Sequence, residues 1–140
     1  MSADAKVCQG TTAWFEMAGT LMSEAASRAG VPAELTVSLL ERYTDGIELS
    51  DGLFQGLRFD ITCGKPSFRV GVRQDERADI VVELPAAAAR RLNTFRSADP
   101  QYQIARDHLV SDGEMRVHGD PARLGGWLAA VHDPIVDRTS

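Results

Sequence analysis

A histidine and an aspartate two residues apart, His118 and Asp120, close a short alternating run in the stretch GEMRVHGDPARLGGWLAAV, Gly113 to Val131. An imidazole beside a carboxylate could shuttle protons or hold two positions on a metal ion. A metal needs further ligands. His108 and His132 stand at no recognised ligand spacing, so neither a metal nor a cofactor is expected. Nucleophile motifs are missing: the chain has no G-x-S-x-G, no H-E-x-x-H and no glycine-rich phosphate loop. Cys8 and Cys63 make no C-x-x-C pair and read as free thiols. Strand alternation sends Met115 and Val117 inward and puts His118 outward with Glu114 and Arg116. Asp120 precedes Pro121, where its carboxylate can accept the free N–H groups of a starting helix.

The elements around this pair can be read from periodicity. Trp14, Met17, Ala18, Leu21, Met22 and Ala25 recur at helical spacing and predict a helix over 13–29, with Thr12 as cap and Gly30 as stop. Leu35, Leu39, Leu40 and Tyr43 predict a second helix over 33–43. The period then changes to two. Strands are expected at 47–49, at 55–62 with Leu57, Phe59 and Ile61 inward, at 68–73, at 78–84 and at 114–118. The short turns between them predict antiparallel neighbours. Helices are expected over 85–95, from Asp99-Pro100 onward with Tyr102, Ala105 and Leu109 inward, and from Asp120-Pro121 to Val131. The last presents Leu124, Trp127, Leu128 and Val131, with Gly125-Gly126 inside it, read as close packing. The fold class expected is α+β: a mainly antiparallel sheet of about five strands with helices covering one face. Residues 1–10 read as a polar tail and residues 11–140 as one domain, with 11–45 its helical N-terminal part.

Composition limits what such a domain can do. The 140 residues carry a net charge of -5, which argues against a nucleic-acid partner, since that needs a basic stripe to displace counterions. No apolar run approaches the roughly 18 residues that span a bilayer, so no integral membrane span is expected, and a cytoplasmic location is the default expectation.

The carboxy-terminal half resembles the sterol carrier protein type-two family. The residues that carry the resemblance are GEMRVHGD, Gly113 to Asp120, followed by the apolar stretch ARLGGWLAAV, with GLRFDITCGKPSFRVGV and ADIVVELPAAAARRLNTF upstream. Together they cover roughly 55–131. The resemblance implies a five-stranded sheet and helices enclosing an apolar tunnel, and binding of sterols, fatty acids, fatty acyl-CoA or other lipids. It carries over no catalytic residue.

The leading expectation is therefore binding or transfer of an apolar small molecule, more a carrier than an enzyme. Met17, Leu21, Phe95, Tyr102, Met115, Leu124, Trp127 and Leu128 are its pocket-lining candidates. Two alternatives stand beside it. One is an enzyme on the same scaffold using His118 and Asp120 as acid–base partners. The other is an interaction subunit with a filled core, forming a homodimer through Trp14 and Leu21.

Overall fold

The first apolar stripe forms α1, Thr12–Ala29, in a computed structural model that describes residues 5–140. Its cap is Thr11, one residue before the expected Thr12: the Thr11 hydroxyl accepts the Trp14 N–H at 3.1 Å. Gly30, at φ 66° and ψ 52°, ends the helix in the left-handed conformation. Gly19 lets α1 lie flat on the sheet. A Cβ there would stand 2.4 Å from the Phe68 ring.

The second expected helix is a strand, β1 (Val37–Tyr43). Spacings of four, one and three among Leu35, Leu39, Leu40 and Tyr43 satisfy a helical stripe, but Val37, Leu39, Glu41 and Tyr43 also alternate. Tertiary context decides between the two. β1 lies at the centre of the sheet, antiparallel to β3 (Leu53–Thr62) and parallel to β5 (Ile80–Leu84). Leu39 and Leu40 are both buried though they point to opposite faces, as in a strand covered on both sides.

The remaining strands are β2 (Glu48–Ser50), β4 (Lys65–Val72) and β6 (Arg116–His118). β3 pairs with β1 and β2 and also with β4; β1 leads on to β5 and then β6. All pairs are antiparallel except β1 with β5. The fold is thus the expected α+β class, with six strands. Cys63 (φ 48°) and Gly64 (φ 77°) make the two-residue turn of the β3–β4 hairpin.

The next connection departs from expectation. β5 does not pair with β4. Residues 73–79 instead form a strap across the charged face and deliver β5 beside β1. Arginines hold the strap down. Arg58 reaches Glu76 at 3.0 Å and the Arg77 carbonyl at 2.8 Å, Arg42 reaches the Gln74 carbonyl at 2.7 Å, and Arg69 pairs with Glu76. Burial pushes the Glu76 carboxyl up. The Arg73 N–H and the Arg69 and Arg58 guanidinia outweigh that and hold it below its ordinary range. These bonds link residues far apart in sequence, so local alternation does not disclose them.

Helices cover the opposite, apolar face. α2 (Ala86–Leu92) is shorter than the expected 85–95, and α3 (Pro100–Ser111) is capped by Asp99. The last expected helix is broken. A 3-10 turn, Pro121–Leu124, is followed by α4 (Trp127–Ala130) and α5 (His132–Asp137). Gly125 makes the break, at φ 117° and ψ 168°, a conformation essentially confined to glycine. Of the segment read as a polar tail, residues 1–4 lie outside the described residues. Val7 is seated beside the C-terminus, its N–H donating to the Arg138 carbonyl at 2.7 Å, and Gln9 is buried. Among the described residues no helix is long and apolar enough to cross a membrane.

Candidate functional site

The apolar side of the sheet carries two hydrophobic clusters rather than one. The larger joins α1 to β1, β3 and Trp127, with Phe59, Ile61, Ile80 and Leu124 fully buried. The smaller joins Leu84 to α2, α3 and Met115. Tyr43 and Val82 touch both. Along this seam lies a cleft of about 160 Å³. Trp14 and Phe15 of α1 wall it on one side, Ala89, Leu92 and Met115 on the other, with Val82 and Leu84 on the sheet.

Polar groups punctuate this lining. Glu41 and Tyr43 come from the sheet, Asn93 and Tyr102 from around α2 and α3, and His132 from the start of α5. Strand alternation puts Glu41 on the same face as Leu39 and Tyr43. It is part-buried, and among the described residues its carboxyl has no hydrogen-bond or ion-pair partner. The surrounding protein excludes enough water that burial pushes the Glu41 carboxyl up. Burial also raises the Tyr43 phenol, to about 12, against a hydrogen bond from Gln9 at 3.2 Å that lowers it and the nearby Glu41 charge that raises it further. His132 stacks against Tyr102 with ring centroids 4.2 Å apart, and its Nε2 donates to the Phe95 carbonyl at 2.8 Å.

An ionisable carboxyl in this position works against folding. The folded state holds the Glu41 proton more tightly than the unfolded chain does. Stability is therefore full below the ordinary value of 4.5 and falls as pH rises through the raised folded value. Glu41→Leu is expected to stabilise the ligand-free protein by about 1–2 kcal/mol at pH 8, and by less at pH 4. Urea midpoints at the two pH values check this; a gain that fails to grow with pH would rule out the buried-carboxyl account.

A second cleft, of about 290 Å³, lies between α1 and the α4–α5 region, where Leu21 and Ala25 face Trp127, Val131 and Pro134. The eight expected pocket residues are thus divided. Tyr102 and Met115 line the seam cleft, and Leu21 and Trp127 line the second. Met17 and Leu124 are buried in the larger cluster, with Leu128 packed against it, while Phe95 packs against the smaller.

His118 and Asp120 reach neither cleft. The His118 side chain is 64% exposed, with Nε2 3.4 Å from Glu83 Oε1 on the charged face. The Asp120 carboxylate accepts the Ala122 N–H at 3.0 Å and caps the 3-10 turn. Val117, expected inward, is on the inner face but 39% exposed, at the edge strand β6.

No protein-family model matches the chain, and no curated protein is similar to it in sequence. Solved structures are similar in fold. A crystal structure of sterol carrier protein 2 superposes with a TM-score of 0.54 at 15% identity, over 94% of this chain and 99% of that one. This chain has the sterol carrier protein fold. A solution structure of a conserved hypothetical protein from Thermus thermophilus, described as a candidate sterol carrier protein, agrees over 97% of this chain and 96% of its own, with a TM-score of 0.58 at 14% identity. Both alignments run nearly end to end.

Proposed function

We propose that this protein binds a small molecule with an apolar body in the seam cleft and serves as a carrier rather than a catalyst. The observation that carries the reading is the seam itself, where two clusters on one sheet face fail to merge and leave apolar walls with a few polar groups between them. That is the usual form of a small-molecule site. Its volume is about 160 Å³, below the roughly 300–1,000 Å³ of sites for drug-sized ligands. It suits a short chain, or one end of a longer molecule whose remainder lies outside. The fold shared with sterol carrier protein 2 supports a ligand of this apolar class. Of the expected lining residues, Tyr102 and Met115 belong to this proposal, with Trp14, Phe15, Val82, Ala89 and Leu92 added.

Titration with 1-octanol, followed by calorimetry and tryptophan fluorescence, tests it. Ala89→Met fills the cleft and is expected to weaken binding by about tenfold or more. Saturable binding insensitive to Ala89→Met would move the ligand elsewhere, to the second cleft first of all.

A further inference from the structure

Glu41 is the one acidic side chain among the lining residues of the seam cleft. Its neighbours on the same face of β1, Val37 and Leu39, are 1% and 2% exposed. Among the described residues no protein group satisfies its carboxyl, which lines the cleft. A ligand that fills the cleft must supply its hydrogen bonds or leave a polar group stranded. A hydrocarbon cannot supply them. A carboxylate ligand would set two like charges side by side, which only a shared proton relieves. An alcohol offers a neutral hydrogen bond. An ammonium offers a charge-assisted one, about twice as strong.

Aromatic rings point the same way. Trp14, Phe15, Tyr43 and Tyr102 all border the cleft, and ring faces attract cations. The Tyr102 ring already has the Arg106 guanidinium 5.9 Å from its centre and His132 stacked on it, which leaves Trp14, Phe15 and Tyr43 as the rings for a ligand cation. Among the described residues no positive charge pairs with Glu41. Arg90 acts on Tyr43 through space but makes no ion pair with Glu41, and the His132 Nε2 proton is engaged by the Phe95 carbonyl.

We propose that the seam cleft is selective for a molecule with an apolar body and a basic amine, whose ammonium docks on the Glu41 carboxylate between aromatic rings. The proposal rests on the reading of this cleft as a binding site and names its ligand class. Burial raises the Glu41 carboxyl, and among the described residues no cation offsets that, which is consistent with a carboxyl whose cation arrives with the ligand. Such a site works against fatty-acid carboxylates.

The test compares three probes of one chain length, octylamine, 1-octanol and octanoate, by calorimetry on the full chain at pH 7.5. Octylamine is expected to bind about tenfold more tightly than 1-octanol, and octanoate most weakly. Glu41→Gln, which keeps the shape of the side chain, is expected to bring the octylamine-to-octanol ratio below about threefold. Equal affinity for amine and alcohol in the unaltered protein, tightest binding by octanoate, or an amine preference that survives Glu41→Gln would each overturn amine selectivity and leave the cleft reading standing. Binding of none of the three overturns the cleft reading, and the amine proposal with it.

Discussion

Trp127→Ala is expected to lower stability by about 3–5 kcal/mol, which in a chain of this size is a fall in Tm of about 10–20 °C. The indole is 7% exposed, stands 5.4 Å from the Phe59 ring centre, and walls the second cleft opposite Leu21. Its N–H donates to the Leu124 carbonyl at 2.7 Å, bridging the break at Gly125. The residue therefore has two separable roles. It fills the joint between α1 and the sheet, and it closes the turn that redirects the chain. Trp127→Phe keeps most of the filling and loses the bridge, so it should cost only about 1 kcal/mol. Thermal unfolding followed by circular dichroism separates the two. If Trp127→Ala lost no more than Trp127→Phe, the ring would not be the anchor its burial indicates.

This tryptophan also marks how far the sequence reached. The stripe Leu124, Trp127, Leu128 and Val131 was readable as apolar and inward, because every member packs into or against the main cluster. Its continuity as one helix was not real. The adjacent glycines are the signal: Gly125 packs closely, since a Cβ there would stand 3.0 Å from the Trp127 ring, and it also adopts a backbone conformation closed to other residues. The β3–β4 hairpin was legible because Leu57, Phe59 and Ile61 alternate without exception and one face is solvated. β1 reads as a helix because Leu40, buried on the face it shares with Ser38 and Arg42, completes a helical stripe with Leu35, Leu39 and Tyr43 that competes with the alternation. The misreading concealed Glu41. Placed on a helix, it is an ordinary surface acid. Placed on β1, it lies among Val37, Leu39 and Tyr43, and the alternation V-x-L-x-E-x-Y is the signal that could have exposed it. The seam between two clusters was not legible, since it depends on the strap that carries β5 past β3 to β1.

Gly119→Ala is the second change with a large expected effect, about 3 kcal/mol of destabilisation. Gly119 adopts φ 80°, and a Cβ there would stand 2.3 Å from the Asp79 carbonyl oxygen and 3.2 Å from the Ile80 Cα. Asp79 cannot yield easily. Its carboxylate accepts the Ser38 N–H at 3.0 Å and its own N–H donates to the Ser38 hydroxyl at 2.9 Å, which locks the start of β5 to β1. The strain must fall on β6, whose register pairs His118 with Val81 and Val117 with Val82. Faster hydrogen exchange at β6 amides, with the β3–β4 hairpin unaffected, is the expected signature. Gly113→Ala is the control. Gly113 shares the positive φ, at 81°, but its Cβ position has open space around it, so only the conformational cost of about 1–2 kcal/mol applies. Equal effects at the two glycines would mean that backbone conformation alone sets the requirement. A larger effect at Gly119 would assign it to the close approach of β6 to β5. In that case the strand-glycine-aspartate pattern R-V-H-G-D is a structural device: the glycine seats the edge strand, the aspartate starts the next turn, and the histidine that ends the strand is left to solvent and Glu83.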